Sequence, residues 1–413
     1  MMKILWLCNV VLPELAEEFG FKKQYFGGWL TGAWNELKLR SDLELAICVP
    51  VRNPSRCKDG VFSNYRYYSF LTISKESTTE GLDQIKRFKY ILNDFKPDVI
   101  HIWGTEYEHS YSMVRACEEN GLLRHAVVGI QGLLTYCGKV YDYGIPKRVL
   151  NQKVNSISIN DNKKVFMEKS NNEKKILETI LNVSGRTDWD RGCINDINPD
   201  AVYYYCGPIL RETFYLAPKW KKSEAVKQRI FMSQASYPIK GLHLIIEELS
   251  KLADIYNDLE VRIAGEDILS KQNAYGIYIN KLLNKYRLEG KVHFIGIIDE
   301  EKMIKEYLNA NVFLSSSLIE NESNSICEAM LLGVPVVSSF VGGIGTVVDN
   351  GKNGLLYPLN EPYMMKYYIQ QIFDERINLD NLSKEEINKA SHFNNKEVIM
   401  AQIFNMYEKI SSK

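Results

Sequence analysis

Short apolar runs alternate with longer amphipathic runs along almost the whole chain, and this alternation constrains the fold more than any other feature. In the first half the apolar runs are KILWLCNVVL, LELAICVP, DVIHIWG, HAVVGIQG, TILNVSG and DAVYYYCG. The alternation starts again at QRIFMSQASY and continues through LEVRIAGE, KVHFIG, NVFLSSS and PVVSS. Apolar strands separated by helices are typical of parallel sheets that carry helices on their faces. The sequence therefore predicts two consecutive α/β domains.

The chain length supports this division, because 413 residues suit two domains of roughly 200 residues each. A boundary is expected near 207–222, where GPILRETFYLAPKWKK carries two prolines. We predict an N-terminal domain over 1–207, a C-terminal domain over 208–390 and a final helix over 391–413 that can cross back to the N-terminal domain. Open α/β sheets bind ligands at the carboxyl ends of their strands, so a ligand cleft is expected between the two domains.

Composition and charge argue against several classes of protein. Lys+Arg and Asp+Glu number 51 each, which gives no reason to expect bulk nucleic-acid binding. The eight cysteines are scattered without a CxxC pair or a histidine at metal spacing, which indicates reduced thiols in a cytosolic protein. No apolar run reaches the roughly 18 residues that a membrane span needs. We interpret the apolar N-terminus as a buried strand, with a signal peptide as the less favoured alternative.

A polar and basic stretch over 143–175 interrupts the alternation in the first half. It has no strand pattern and is expected to be helical. Two interpretations stay open, a solvated helical face or a surface that docks an acceptor or a membrane. The protein is therefore predicted to be cytoplasmic, with the inner face of the plasma membrane as its second predicted location. The oligomeric state is left open.

The stretch SLIENESNSICEAMLLGVPVVSS places two carboxylates, Glu320 and Glu328, around a polar loop. Asn324 is expected to cap the helix that follows. The backbone N–H groups of Ser323, Asn324 and Ser325 then form an anion site that suits a phosphate. Carboxylates accept hydrogen bonds from pairs of sugar hydroxyls, so the stretch is a candidate sugar-nucleotide pocket. An acidic residue in the first turn is also explained by the helix dipole alone.

Two glycine-containing turns are further candidates for phosphate contacts. Lys240 and Gly241 precede a predicted helix directly after a strand. Gly27 and Gly28, in FGGWLTGAW, allow the backbone to approach a diphosphate. Each motif alone is more often a plain turn, but their order with the carboxylate stretch favours a shared ligand.

In chain order these motifs resemble the retaining glycosyltransferases of family 4, which have the GT-B fold of two Rossmann-like α/β/α domains that face a central cleft. The resemblance covers nearly the whole chain, and the E-x7-E stretch is its most specific part. It implies that Glu328 holds the ribose hydroxyls, that Glu320 holds the donor-sugar hydroxyls and that Lys240 neutralises the diphosphate. The other implied donor-binding residues are Gly27, Gly28, Gly241, Gly265, Gly296, Ile297, Ser323, Asn324 and Ser325.

Three positions depart from the family pattern. Ala235 stands where an arginine is usual, the EGFG motif is replaced by Glu320-Asn321-Glu322-Ser323, and Gln131 stands where a histidine is frequent. Glutamine cannot carry a proton at neutral pH, although its carbonyl oxygen can accept a hydrogen bond. We expect Arg186, in SGRTDWDRG, either to replace the cation that is missing at Ala235 or to belong to a surface ion-pair cluster.

The acceptor-side candidates are Glu106 and His109, from HIWGTEYEHSY, together with Gln131. A structural role is the alternative for His109, because most lone histidines are structural. The catalytic candidates that result are Glu320, Lys240, Arg186 and His109.

The resemblance implies a hexosyltransferase-type reaction. A sugar would move from a nucleoside-diphosphate donor, a UDP- or GDP-sugar, to an acceptor hydroxyl with retention of the anomeric configuration. No metal or other cofactor is expected, and the predicted acceptor is a glycan or a lipid-linked molecule of cell-surface polysaccharide or glycolipid synthesis. The alternatives are an inactive nucleotide-sugar-binding protein and a sugar-nucleotide epimerase on the same fold.

Overall fold

The structure, a computed structural model, describes residues 1–21, 28–73, 78–270 and 273–412, which form two compact units. The first unit consists of Met1–Thr135, Met167–Arg211 and Asn395–Lys413, and the second of Tyr136–Phe166 and Glu212–Asn394. The chain thus leaves the first unit twice. Residues 136–166, which we assigned to the N-terminal domain, group with the second unit, and the end of the chain groups with the first. These ranges differ from the predicted ones because the hydrophobic pattern of the sequence does not show which unit residues 136–166 contact.

The first unit contains an eight-stranded sheet of order β3-β4-β2-β1-β5-β6-β7-β8. Its strands are β1 (Met2–Leu7), β2 (Leu43–Val51), β3 (Gly60–Phe62), β4 (Tyr65–Leu71), β5 (Val99–Trp103), β6 (Ala126–Gly129), β7 (Asn182–Gly185) and β8 (Val202–Tyr205). Among the strands that the structure describes in this sheet, only the edge pair β3–β4 is antiparallel; the other neighbours are parallel. This pair was not predicted, since its tyrosine-rich run YRYYSFL lacks the apolar character of the central strands.

The helices of the first part of the chain belong to the first unit and to residues 136–166. They are α1 (Gly28–Leu37), α2 (Thr78–Phe95), α3 (Glu108–Glu119), α4 (Leu134–Val140), α5 (Lys147–Leu150), α6 (Ile159–Thr179) and α7 (Asp188–Ile197). The basic stretch expected to be helical therefore contains α5 and most of α6.

The second unit contains a parallel six-stranded sheet of order β11-β10-β9-β12-β13-β14. Its strands are β9 (Arg229–Met232), β10 (Glu260–Ala264), β11 (Val292–Gly296), β12 (Val312–Ser315), β13 (Val336–Ser339) and β14 (Leu355–Tyr357). Strand order runs outwards in both directions from the neighbours β9 and β12. Ligands of open α/β sheets bind at the carboxyl ends of the strands at such a switch point.

The remaining helices follow the same chain order. They are α8 (Glu212–Leu216), α9 (Leu242–Ile255), α10 (Ala274–Lys285), α11 (Glu300–Asn309), α12 (Asn324–Leu332), α13 (Ile344–Val347), α14 (Pro362–Phe373), α15 (Leu379–Phe393) and α16 (Lys396–Ser411). None of the helices in the described ranges has the length and the apolar character that a membrane crossing needs.

A buried aromatic network joins α16 to the first sheet. The Tyr407 hydroxyl accepts a hydrogen bond from Trp6 Nε1 at 2.9 Å and lies 2.8 Å from His101 Nδ1. The His101 ring stacks on Trp103 with ring centroids 3.8 Å apart. Burial lowers the pKa of His101 to about 3, so the ring is neutral and its Nδ1 can accept the Tyr407 proton. The end of the chain is therefore part of the core of the first unit.

We predict that Tyr407→Phe lowers the stability of the first unit by about 1–3 kcal/mol, because it leaves two buried polar atoms without their shared partner. Urea denaturation of the full chain, followed by tryptophan fluorescence, measures this loss. Tyr363→Phe, which removes an exposed hydroxyl in the second unit, is the matched control. An unchanged denaturation midpoint in Tyr407→Phe would contradict this role for the network.

Candidate functional site

Lys240 and Gly241 lie after β9, at the start of α9. Gly241 has a φ of +68°, a backbone conformation that favours glycine. A Cβ atom at this position would lie 1.9 Å from the carbonyl oxygen of Ser316, which follows β12. The Ser316 hydroxyl donates to the Lys240 carbonyl oxygen at 2.7 Å. The two loops at the switch point are thus in direct backbone contact, which only glycine permits.

This contact brings the side chains of Lys240 and Glu320 together. Lys240 Nζ lies 2.5 Å from Glu320 Oε1, and the two side chains are only 18% and 15% exposed. Burial alone would lower the pKa of Lys240, but the neighbouring Glu320 carboxylate and Tyr237 hydroxyl reverse this effect and raise the pKa above its ordinary value. Lys240 is therefore a fixed cation at neutral pH.

Three further hydrogen bonds hold the Glu320 loop. Ser317 Oγ donates to Glu320 Oε1 at 2.6 Å, and Ser339 Oγ donates to the Ser317 carbonyl oxygen at 2.6 Å. The Gly343 N–H donates to the Glu320 carbonyl oxygen at 2.9 Å. In the described part of the chain, both side-chain hydrogen bonds to Glu320 fall on Oε1. The other carboxylate oxygen, Oε2, accepts no hydrogen bond from the described residues.

Helix α12 begins beside this loop, and Ser323 rather than Asn324 occupies its N-cap position. The first N–H groups of a helix have no partner within the helix, so Asn324 and Ser325 offer donors to an anion. Glu328 is 7% exposed. Its Oε2 lies 3.2 Å from the hydroxyl of Tyr307, which also lies 3.1 Å from the Ser325 carbonyl oxygen. Tyr307, on α11, thus contacts both Glu328 and the first turn of α12. The sequence analysis did not predict this contact.

Gly265, directly after β10, and Gly296, the last residue of β11, lie at the same sheet edge. Gly265 has a φ of +93° and donates its N–H to the Gly296 carbonyl oxygen at 3.0 Å. A Cβ at Gly296, whose φ is +76°, would meet no atom within 4 Å. Ile297 is 66% exposed. Gly296 thus leaves room at the carboxyl edge of the second sheet, where Ile297 presents an apolar surface, whereas a Cβ at Gly265 would lie 3.4 Å from Gln234 Cγ.

The two glycines of the FGGW turn lie at the edge of a range that the structure describes. Gly27 falls outside the described residues. Gly28 is the first residue of α1, in the first unit. The role of both glycines at a diphosphate stays a prediction.

A concave site lies at the carboxyl ends of β1, β2, β4 and β5 in the first unit. Its polar lining includes Asn9, Arg52, Thr72, Glu106, His109 and Lys169. The Thr105 N–H donates to Glu106 Oε2 at 2.8 Å. Gly104 has a φ of +95°, and a Cβ there would lie 2.6 Å from the same oxygen. Burial raises the pKa of Glu106 to about 7, with a further contribution from the Glu173 carboxylate.

His109 lies in the first turn of α3 and is 5% exposed. Its ring stacks on Tyr107, with centroids 5.1 Å apart, and contacts the ring of Phe70. Burial lowers the pKa of His109 to about 3, so the ring is neutral at physiological pH. The packing supports the structural alternative for this residue, and its catalytic role stays a prediction.

Arg186 and Gln131 follow β7 and β6, neighbouring strands of the first sheet. Arg186 is 5% exposed, and its Nη2 donates to Gln131 Oε1. Asp190, which is fully buried, accepts the Arg186 N–H at 2.9 Å and forms a capping box with Thr187 at the start of α7. Arg186 therefore does not belong to a surface ion-pair cluster, which was the predicted alternative. Its replacement of the cation missing at Ala235 stays a prediction.

Glu173 is a buried carboxylate that no motif in the sequence marks. It lies on α6 and accepts hydrogen bonds from Thr105 Oγ1, Leu134 N, Thr135 N and Thr135 Oγ1, all at 2.8 to 2.9 Å. These bonds tie α6 to Thr105, two residues after β5, and to the start of α4. The part of α6 around Glu173 is rich in lysine and polar residues, so the sequence alone predicts that the Glu173 side chain is exposed to solvent.

Across the described ranges, no group of three His, Cys, Asp or Glu side chains is arranged to hold a metal ion. Independence from metals and cofactors stays a prediction, since it concerns the reaction rather than the free protein.

Residues 217–389 match the family model described as Glycosyl transferases group 1. These residues are a group 1 glycosyltransferase domain. The domain contains the second sheet and every candidate residue from Lys240 to Glu328. The predicted resemblance to the group 1 glycosyltransferases is thereby confirmed over residues 217–389, whereas family 4 and retention stay predictions.

Solved structures support the fold of the whole chain. Sucrose-phosphate synthase from Thermosynechococcus elongatus superposes with a TM-score of 0.73 at 17% identity and covers 100% of both chains. Anabaena HepE in complex with UDP and glucose gives a TM-score of 0.67 at 15% identity, over 99% of this chain and 100% of that one. The predicted GT-B fold, with its two parallel-sheet α/β domains, is confirmed.

Curated relatives match part of the chain. One subunit of the human phosphatidylinositol N-acetylglucosaminyltransferase is 24% identical over 241 residues, which is 58% of this chain and 44% of that protein. The phosphatidyl-myo-inositol mannosyltransferase of Mycolicibacterium smegmatis is 26% identical over 189 residues, 44% of this chain and 45% of that protein. Each match spans less than half the length of the relative.

We predict that stability of the first unit falls as the pH falls from about 6.5 to 3, partly because of His109. Its pKa is lower in the folded chain than the unfolded value of about 6.5, so acid protonates the unfolded form first. His109→Phe should reduce the loss of unfolding free energy by up to about 1.4 kcal/mol per pH unit. Urea denaturation between pH 7 and pH 4 measures this slope.

The control for the loss of a histidine as such is His392→Asn, at an exposed position of the second unit. Equal pH slopes in the wild type and in His109→Phe would contradict a neutral, buried His109.

Proposed function

We propose that the chain transfers a sugar from a nucleoside-diphosphate donor, a UDP- or GDP-sugar, to an acceptor hydroxyl with retention of the anomeric configuration. The observation that carries this proposal is the Lys240–Glu320 pair beside the N-terminus of α12. A partly buried cation and helix N–H groups suit a diphosphate, while the carboxylate suits sugar hydroxyls. A donor that combines both chemistries is a nucleotide sugar.

Lys240 would stabilise the departing diphosphate. Negative charge develops on the leaving oxygen as the glycosidic bond breaks, and a fixed cation in a site of low exposure stabilises that charge most effectively. The N–H groups at the start of α12 add partial positive charge at the same sheet edge. We propose that these groups meet the electrostatic need of the reaction without a metal.

Glu320 would bind the transferred sugar. Its Oε1 is occupied by Lys240 and Ser317, so Oε2 is the atom proposed to accept from the sugar hydroxyls. Glu328 would accept from the ribose hydroxyls while it keeps its contact with Tyr307. The structure of HepE is a complex with UDP and glucose, which supports a nucleotide-sugar donor for this chain.

The acceptor is proposed to be a glycan or a lipid-linked molecule that binds at the concave site of the first unit. Two relatives carry phosphatidylinositol or phosphatidyl-myo-inositol in their names, which favours a lipid-linked acceptor. Helix α6 carries the exposed lysines Lys164 and Lys174, and exposed cations favour peripheral contact with an anionic membrane. A cytoplasmic enzyme at the inner membrane face is the corresponding location.

The direct test incubates the purified chain with UDP-, GDP- and ADP-sugars and follows the anomeric proton of the product by NMR. Slow transfer to water or to an added acceptor, with the donor's anomeric configuration kept, is the expected result. Inversion would contradict retention. Nucleotide binding without turnover would favour an inactive binding protein, and a donor sugar with an altered ring stereocentre would favour an epimerase.

We predict that Ser317→Ala lowers kcat about tenfold and changes nucleoside-diphosphate binding little. The substitution removes one of the two donors that hold Glu320 Oε1, but it leaves Lys240 in place. Ser317→Thr, which keeps a hydroxyl, should restore most of the activity. Steady-state kinetics and calorimetric titration with the nucleoside diphosphate separate the two effects. Full activity in Ser317→Ala would contradict the positioning role of Ser317.

A further inference from the structure

A second cavity adjoins the concave site of the first unit. The concave site has a volume of about 500 Å³ and the second cavity one of about 620 Å³. Arg52, directly after β2, lines both, as do Thr72 and Ile73, which follow β4. The second cavity is also lined by Cys57 and by Gln84 of α2, and all these residues belong to the first unit. A ligand that extends past the shared border of Arg52, Thr72 and Ile73 can therefore occupy both cavities.

The walls of the second cavity are held to the first sheet. At the shared border the Thr72 N–H donates to the Val51 carbonyl oxygen at 2.9 Å. From α2, Arg87 Nε donates to the Ser69 carbonyl oxygen at 3.0 Å, and the same guanidinium forms an ion pair with Asp59. The polar groups of the cavity are thus in fixed positions before a ligand binds.

Gln84 brings a buried hydrogen-bond acceptor to this cavity. The residue is 5% exposed, and its Nε2 donates to the Leu71 carbonyl oxygen at 2.7 Å. An amide oxygen cannot donate to a carbonyl, so this contact fixes which end of the amide is which. Gln84 Oε1 is buried and accepts no hydrogen bond from the part of the chain that the structure describes. Because a buried acceptor without a donor is unfavourable, a ligand that donates to Oε1 gains binding energy.

The lining of the second cavity favours sugar hydroxyls over an acyl chain. Its charged residues are Arg52, Lys58, Asp59, Asp83 and Arg87. An acyl chain would take water from these groups and offer no hydrogen bonds in return. Hydroxyls both donate and accept, so they can satisfy Gln84 Oε1 and the charged groups together. Pro54 and Leu71, which is 38% exposed, add apolar surface for the C–H groups of a sugar ring.

We propose that the acceptor is an oligosaccharide of at least two sugar units, and that the second cavity binds the units next to the one that receives the transferred sugar. Gln84 Oε1 accepts a hydrogen bond from a hydroxyl of these units. Sites for small molecules have volumes of about 300–1,000 Å³, so the second cavity alone has room for a separate part of the ligand. The inference rests on the proposed function and narrows its acceptor, because a single sugar carried directly on a lipid would leave the second cavity empty.

A glycan array of mono- to hexasaccharides that also carries octyl monosaccharides tests this binding with the full chain. We expect the wild type to bind glycans of two or more units in preference to octyl monosaccharides. Gln84→Met, which removes the acceptor atom, should weaken that binding about tenfold. Cys57→Trp adds a bulky side chain at an exposed position of the lining and should weaken it about tenfold or more. The matched controls are Gln152→Met and Val61→Trp, at exposed positions outside both cavities.

Cys57→Trp changes an exposed side chain, so it decides the matter even where Gln84→Met fails to fold. Undiminished binding of the longer glycans by Cys57→Trp would overturn the inference, as would a wild type that prefers octyl monosaccharides or binds no glycan. Turnover of a nucleotide sugar by the wild type, measured separately, would in each of these cases leave the proposed function intact. A wild type that turns over no nucleotide sugar would overturn the proposed function, and with it the role of the bound glycan as an acceptor.

Discussion

The candidate donor site depends on the close approach of two loops at the switch point of the second sheet. Gly241 allows the backbone after β9 to meet Ser316 after β12, and this contact places Lys240 Nζ 2.5 Å from Glu320 Oε1. A cation and a carboxylate at such low exposure stabilise each other only when both stay in place. The pair therefore gives the sheet edge a fixed arrangement of charges before a substrate binds.

Buried polar groups at the carboxyl edges recur in both units, and each is oriented by a neighbour. Ser317 fixes the Glu320 carboxylate, Tyr307 contacts Glu328, and Arg186 orients Gln131. Sites that stabilise developing charge need groups which are already oriented, since reorganisation during the reaction would cost free energy. The orienting residues are thus as much a part of the candidate chemistry as the residues proposed to touch the substrate.

Much of the fold was predictable from the sequence because central parallel strands are apolar on both faces. The apolar runs DVIHIWG and NVFLSSS contain β5 and β12. Lys240, Glu320 and Glu328 lie at one edge of the second sheet, as the order of their motifs along the chain implied. The hairpin β3–β4 was missed because an edge pair needs less apolar character. Glu173 was missed since burial of a single charged residue leaves no periodic signal, and the amide orientation of Gln131 depends on a contact with Arg186 across two strands.

The most direct test of the central claim is calorimetric titration of the wild type and of Lys240→Gln with a nucleoside diphosphate and with the corresponding nucleoside. The glutamine can still donate to Glu320, but it carries no charge. We expect the wild type to bind the diphosphate far more tightly than the nucleoside, and Lys240→Gln to lose most of that difference while its affinity for the nucleoside stays the same. An equal preference for the diphosphate in both proteins would contradict the assignment of Lys240 to the diphosphate.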